Sequence, residues 1–221
     1  MDFEELKVRY RGDRVAIYDD IRAPMSLWSN EQAAMRRILG DLQPGMSVVD
    51  LPVGTGRYAE FYKELGLRPI GADISLDMLT KTRAKVSELG VKFPLVRSDI
   101  RSTPFPDQSV DVVVCTRFMN WIRPDGVHAC LAELKRISRN LVIFSLRSYR
   151  PARELTLAQK FYQLKYRFFR FRTRARHLVH EPHVPAEVLD QKGFRVRAKH
   201  VVETPAHGAV EYAFYVVERQ T

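Results

Sequence analysis

Cysteine is scarce in this sequence, with Cys115 and Cys130 the only two. Neither forms a C-x-x-C pair or stands at zinc-ligand spacing, which argues against a disulfide framework or a structural zinc module. Two buried thiols in a reducing cytoplasm are the expectation. Long apolar runs are also missing: no window approaches ~20 uncharged apolar residues, so no bilayer-spanning helix is expected. The opening Met1-Asp2-Phe3-Glu4-Glu5 is acidic and has no apolar stretch, so a cleaved leader is not expected either. Internal repeats and low-complexity tracts are absent. Acidic residues are in deficit, 26 against 36 basic ones, for a formal net charge of +10. That balance leaves open an anionic partner or a merely solvated basic surface, and where the charge sits decides more than its total.

What is present fits one α/β domain across 1–221, since 221 residues at 45% hydrophobic content suffice for a sizeable core. The chain is organised around Val48-Val49-Asp50-Leu51-Pro52-Val53-Gly54-Thr55-Gly56-Arg57-Tyr58-Ala59. An apolar run ends in an acid, two glycines follow one residue apart, and a helical pattern then begins with Tyr58, Phe61, Tyr62 and Leu65 inward. This is a buried strand, a tight turn and a helix. Glycine tolerates positive φ and lets a ligand approach the backbone, and the helix start offers free N–H groups. Such a device suits a nucleotide-like ligand.

Read literally, Gly54-Thr55-Gly56-Arg57-Tyr58-Ala59 fits the dinucleotide fingerprint G-x-G-x-x-A, with Asp73 at a ribose-binding distance. An acid in the first strand followed by x-x-x-Gly-x-Gly instead resembles the first motif of class I S-adenosylmethionine methyltransferases. Three further landmarks agree with that resemblance. They are Gly71-Ala72-Asp73-Ile74-Ser75, Arg97-Ser98-Asp99-Ile100, and Thr103-Pro104-Phe105-Pro106-Asp107-Gln108-Ser109-Val110-Asp111-Val112-Val113, which resembles the family's LPFPDxSFDVV entry to strand four. They cover roughly residues 45–146 in the family's order. One departure is Pro52, where the family often has glycine; it removes one backbone N–H.

The resemblance implies a Rossmann-like seven-stranded sheet, mostly parallel, with a C-terminal antiparallel hairpin and helices on both faces. It implies S-adenosylmethionine as cofactor and S-adenosylhomocysteine as product. Carried over residue by residue, Asp50, Leu51, Gly54, Thr55 and Gly56 shape the cofactor turn. Asp73 holds the ribose, with Ile74 and Met78 among the cofactor residues. Ser98, Asp99 and Ile100 border the adenine, and Thr116 and Arg117 lie toward the methionine portion. Asn120 and Trp121 occupy the post-strand position that faces cofactor and acceptor, and are the substrate-side candidates. Strand four ends in Cys115-Thr116-Arg117-Phe118-Met119-Asn120-Trp121, without the Asn-Pro-Pro-Tyr or Asp-Pro-Pro-Tyr of amino-directed DNA methylation and without a Pro-Cys nucleophile.

Residues 1–44 read as a helical approach segment in which Tyr10, Arg14 and Tyr18 either cover the methionine end of the cofactor or pack a helix onto the sheet. Asn30 is a candidate N-cap for a helix over Glu31–Leu42 with Ala34, Ile38 and Leu42 inward. Strands are expected at Arg68–Asp73, Lys92–Arg97, Val110–Thr116 and Leu141–Leu146. Helices are expected from Ser75 to about Leu89 and over Asp125–Ser138. In the tail, 184–221, a short helix (Ala186–Gln191) precedes strands at Phe194–Glu203 and Ala209–Glu218.

Almost the whole excess charge lies in 147–176, where ten basic residues face Glu154 alone, a net of +9. On a helix, Leu157, Phe161, Leu164, Phe168 and Phe171 form an apolar stripe with cations on both flanks. Three readings stay open: a lid helix packed on the crevice, a basic amphipathic helix at an anionic membrane surface or a lipid-like substrate, and a nucleic-acid contact through Arg147–Arg176. The insertion, 147–183, falls where related small-molecule methyltransferases place their substrate cap. His177, His180 and His183 follow it. A hydroxyl acceptor would call for a histidine base, with His180 the candidate; their spacing lacks an acidic or cysteine partner motif, so no metal is expected. Arg57 either pairs with the cofactor's carboxylate or points to solvent.

The function expected is methyl transfer to a small-molecule acceptor, lipid-like, phosphorylated or glycosylated, by a cytoplasmic protein that is soluble or peripheral at a membrane. The alternatives are a tRNA or rRNA methyltransferase, a non-catalytic S-adenosylmethionine-binding regulator and, more distantly, a dinucleotide-dependent oxidoreductase.

Overall fold

A computed structural model describes residues 12–173, 178–189 and 193–220. Tyr10 and His177 therefore lie outside the described residues, as does the side chain of Arg14. The chain runs α1 (Asp13–Ala16), α2 (Tyr18–Arg22), α3 (Ser26–Gly40), β1 (Ser47–Asp50), α4 (Ala59–Glu64), β2 (Arg68–Asp73), α5 (Leu76–Glu88), β3 (Leu95–Arg97) and β4 (Val110–Cys115). It continues with α6 (Pro124–Ile137), β5 (Ser138–Tyr149), α7 (Leu157–Thr173), α8 (His183–Leu189), β6 (Phe194–Glu203) and β7 (Val210–Arg219).

The seven strands form one sheet in the order β3-β2-β1-β4-β5-β7-β6. Pairing is parallel from β3 through β5 and antiparallel for β5–β7 and β7–β6. The expected mostly parallel sheet with a terminal hairpin is the one observed. Strand residues alternate between two cores. Val49, Val113, Cys115, Val142 and Phe144 face α6, where Cys130, Leu131 and Leu134 meet them. Val48, Val112, Val114 and Ile143 face Met35, Leu39 and Tyr62 of α3 and α4. A strand covered on both sides reads as an unbroken apolar run, because both faces of its period-two pattern are buried. Both cysteines are buried and free.

Boundaries follow local chemistry where it is strong. Ser75 caps α5, its Oγ accepting from Met78 N at 3.3 Å. Asn30 is not the cap expected: α3 begins four residues earlier, at Ser26 after Met25, and Asn30 lies inside it with Nδ2 directed at Val202 O, 3.5 Å away. β5 extends to Tyr149, well past the expected Leu146, because β7 pairs along it from Leu141–Glu218 to Tyr149–Val210. The partner strand, 60 or more residues away, prolongs the ladder.

Candidate active site

Ligands on open α/β sheets bind beyond the carboxyl ends of the strands. There the chain forms a cleft of about 730 Å³ whose walls include Tyr18, Trp28, Pro52, Gly54, Thr55, Asp73, Ile74, Met78, Thr116, Arg117 and Trp121. Its floor is the turn after β1. Gly54 has φ +57 and nothing within 4 Å of where a Cβ would stand, so the backbone there is open to the cleft. Gly56 has another reason to be glycine. At φ +69 its Cβ would come within 2.9 Å of Thr82 Cγ2, so it admits α5, and it is not part of the cleft wall.

Asp73 ends β2 as the cleft's carboxylate. Gly54 N donates to its Oδ2 at 3.0 Å and Ser75 N to its Oδ1 at 2.9 Å. Burial raises its pKa to about 6 against the pull of these N–H donors. Asp50, by contrast, turns into the interior: Tyr62 Oη donates to its Oδ2 at 3.0 Å, and burial, with Asp73 adding to it, pushes its pKa well above the carboxylate range. Leu51 belongs to the α6-side core. Both shape the turn from beneath and neither lines the cleft. Thr55 Oγ1 donates to Asp19 Oδ1 at 2.8 Å, tying the turn to α2.

Beyond β3 the placement differs from the residue-by-residue expectation. Ser98 N donates to Asp73 O at 3.0 Å, which supports β2, and Ile100 is a core residue. The Asp99 carboxylate is gripped by Arg101, with Nε on Oδ1 at 3.0 Å and Nη2 on Oδ2 at 2.6 Å. None of the three lines the cleft.

At the other end, Thr116 and Arg117 lie on the wall. Arg117 has φ +59, a left-handed conformation unusual for a non-glycine residue, held by its N–H donating to Ser145 Oγ at 2.8 Å. Its guanidinium joins a buried cluster that sequence reading missed. Glu31, 0% exposed, accepts on Oε2 from Arg57 Nη1 at 2.6 Å and Arg117 Nη1 at 3.1 Å, and on Oε1 from Tyr212 Oη at 2.7 Å. Arg57 is therefore neither free for solvent nor simply a ligand clamp. Its Cζ sits 3.7 Å from the Trp28 ring centroid and its Nη2 donates to Trp28 O at 2.7 Å. The signal for Glu31 was present: it stands four residues before Met35 and seven before Ile38, an acid inside the buried stripe of α3.

A second cavity of about 930 Å³ adjoins the first and shares Tyr18, Arg117 and Trp121 with it. Ile21, Met25, Leu27, Glu31, Asn120, Arg147 and Tyr212 complete its lining. Trp121 thus lines both spaces, and Asn120 lines the second alone. Asn120 Oδ1 also accepts from Arg147 N at 2.7 Å. His180 lines neither cavity. It is 3% exposed, its Nε2 lies 2.9 Å from Met119 O, its N–H donates to Arg147 O, and burial lowers its pKa. With its Nε2 proton directed at that carbonyl and its backbone paired with Arg147 and Tyr149, it joins the chain after α7 to β5. His183 is exposed at the start of α8. Among the described residues, no group of three or more His, Cys, Asp or Glu side chains converges as a metal site.

α7 does not cover the crevice as the lid reading expected. It packs against the end of the sheet through Gln163, whose Nε2 donates to Arg150 O and Ala209 O, and through Tyr162, whose ring centroid lies 3.9 Å from that of His207. Arg167 pairs with both Glu181 oxygens at 2.7 Å. No described residue of α7 lines either cavity.

Comparison with known proteins agrees with this layout. A family model described as a methyltransferase domain matches residues 48–140. Malonyl-[acyl-carrier protein] O-methyltransferase of Yersinia pestis is 32% identical over 109 residues, 48% of this chain and 39% of that protein. The ubiquinone/menaquinone biosynthesis C-methyltransferase UbiE of Burkholderia orbicola is 34% identical over 105 residues, 45% of this chain and 41% of its own length. Residues 48–140 are a class I S-adenosylmethionine methyltransferase domain. The methyltransferase fold extends further: magnesium protoporphyrin IX methyltransferase from Synechocystis PCC 6803 with bound S-adenosylhomocysteine superposes with a TM-score of 0.67 at 15% identity, over 99% of this chain and 94% of that one. The chain spans about two fifths of the length of the curated relatives it matches.

The cofactor of this methyltransferase class is S-adenosylmethionine, and the first cleft fits it. A fixed carboxylate, Asp73, suits a ribose diol, and the apolar Ile74 and Met78 suit an adenine face. Arg57 Nε is buried without an acceptor among the described residues, on a side chain of the cleft wall, which leaves a donor for an anionic end of the ligand.

Proposed function

We propose that the protein is a methyltransferase that takes its methyl group from S-adenosylmethionine and passes it to a small molecule held in the second cavity. The carrying observation is that two spaces meet at Tyr18, Arg117 and Trp121, one with the features of an adenosyl site and one without. When bound, the cofactor supplies a methyl group on a sulfonium, an electrophile that needs alignment more than a strong base. The protein's share is then positional. Asp73 orients the ribose end, Arg57 and Arg117 meet the carboxylate end, and Trp121 with Tyr18 excludes water from the junction.

The second cavity favours an acceptor with an apolar body and an anionic or strongly polar group. Ile21, Met25 and Leu27 supply apolar surface, and Arg117 and Arg147 supply cations. Both arginines are partly neutralised, by Glu31 and by Glu203 at 2.9 Å, so they suit a polar headgroup rather than a dense polyanion. Calorimetry with S-adenosylhomocysteine tests the donor site. Incubation with trideuteromethyl-labelled donor and a metabolite or lipid extract, read by mass spectrometry, tests the acceptor class. Absence of donor binding by folded protein removes the proposal. Donor binding without any labelled product favours a regulatory role, and label in RNA favours the nucleic-acid reading.

A further inference from the structure

The amphipathic pattern of α7 is used the wrong way round for a core helix. Gln159, Tyr162, Gln163 and Arg167 hold it to the turn before β7 and the end of β5, while the stripe of Leu157, Phe161, Leu164, Phe168 and Phe171 faces outward, Leu157 being 86% and Phe171 85% exposed. At 100° per residue the five lie within an arc of about 80°, opposite the anchored face. Phe169, about 80° round the helix from the nearest of the five, is exposed as well. So much bulky apolar surface on one straight element is an interaction face rather than chance exposure.

Charge narrows the occupant. The helix carries Lys160, Lys165, Arg167, Arg170 and Arg172 and no acid. Lys160 and Lys165 are exposed, stand one on each side of the stripe, and pair with no acidic side chain among the described residues. Cations bordering an apolar stripe match a layer of anionic headgroups over acyl chains, with lysine stems lying along the boundary. A second copy of the chain would bring like-charged helices together. Nucleic acid would meet the cations but leave the aliphatic Leu157 and Leu164 without burial. The helix is 17 residues, about 25 Å at 1.5 Å per residue, and it is not apolar enough to cross a membrane. Lying in the plane of the interface is the geometry that remains.

We propose that α7 is a docking helix that seats the protein on an anionic lipid bilayer through Leu157, Phe161, Leu164, Phe168 and Phe171, with Lys160 and Lys165 on the headgroups. The proposal does not depend on the enzymatic reading. The two meet at one place, because the chain leaving α7 returns to the wall of the second cavity, where Leu178 N donates to Asn120 O at 2.6 Å and His180 pairs with β5.

The test floats the whole protein with vesicles of phosphatidylcholine alone or of equal parts phosphatidylcholine and phosphatidylglycerol. Flotation with the anionic vesicles only, weakening as salt shortens the Debye length, is expected. Leu164→Glu and Phe168→Glu should each lower the partition coefficient by about tenfold or more, and Lys160→Glu and Lys165→Glu by about fivefold or more. All four positions are exposed, so the thermal midpoint and circular dichroism stay as in the wild type. S-Adenosylhomocysteine binding by these variants also stays unchanged, since α7 lines neither cavity, and docking and donor binding therefore succeed or fail separately. Failure of the folded wild type to float with anionic vesicles at low salt overturns the proposal. So does a concentration-dependent dimer that Leu164→Glu abolishes, or salt-sensitive RNA retention without vesicle binding.

Discussion

Helices α3 and α7 are alike on paper, 15 and 17 residues long with one apolar stripe each, yet they use those stripes oppositely. α3 turns Met35, Ile38 and Leu39 onto the sheet and carries Glu31 into the same buried face. α7 turns Gln159 and Gln163 toward the protein and its phenylalanines away. Periodicity tells that a helix has an apolar face; it does not tell what that face meets. The intruding residue is the useful clue. An acid within the stripe of α3 accompanies two arginines that neutralise it, whereas the stripe of α7 has cations only on its borders.

The sharpest way to break the contrast is at Glu31. Glu31→Ala leaves Arg57, Arg117 and Tyr212 short of their shared acceptor, with an expected cost of about 3–5 kcal/mol in urea unfolding. A loss below about 1 kcal/mol would mean the cluster is solvated and α3 is not pinned by it. Next in size is Leu39→Ala on the buried face, expected to destabilise by about 2–5 kcal/mol through transfer and cavity terms.

Asp73→Asn probes the cleft rather than the helices. Loss of a charge-assisted acceptor should weaken S-adenosylhomocysteine binding by about 10–100-fold in calorimetry. Because burial raises the pKa of Asp73 to about 6, wild-type affinity should rise as pH increases through that value, since ligand hydroxyls donate to the ionised form. The free protein responds with the opposite sign. Its folded pKa lies above the unfolded one, so this group's contribution to stability is full below about 4 and is lost as pH rises through about 6. A pH-independent affinity in the wild type would remove Asp73 from the ligand site.

The smallest expected effect completes the pair with Leu39: Phe168→Ala should shift stability by less than about 0.5 kcal/mol, because its ring is exposed. A loss of 2 kcal/mol or more, on the scale of a core truncation, would show that the stripe of α7 is covered in solution.

Much of the cleft was legible before any coordinates. Gly54 and Asp73 announce themselves because a positive-φ turn and an acid at a strand end are local features, separated by one strand–turn–helix unit. The pairing of Asp99 with Arg101, two residues on, was not legible, because nothing in the motif demands it. His180 looked like a base because it is a histidine near the crevice. Only its burial against Met119 O shows that its ring is committed elsewhere.

The sequence by itself determined the succession of strands and helices, the two-sided burial of the sheet and the position of the ligand turn. These depend on near neighbours: apolar period, caps and glycine conformation. Tertiary structure alone decided that Glu31 joins Arg57 and Arg117 from 26 and 86 residues away, that β5 lengthens against β7, and that α7 presents its apolar side outward. Each of those depends on which distant surface arrives opposite a residue, and short-range pattern carries no information about that meeting.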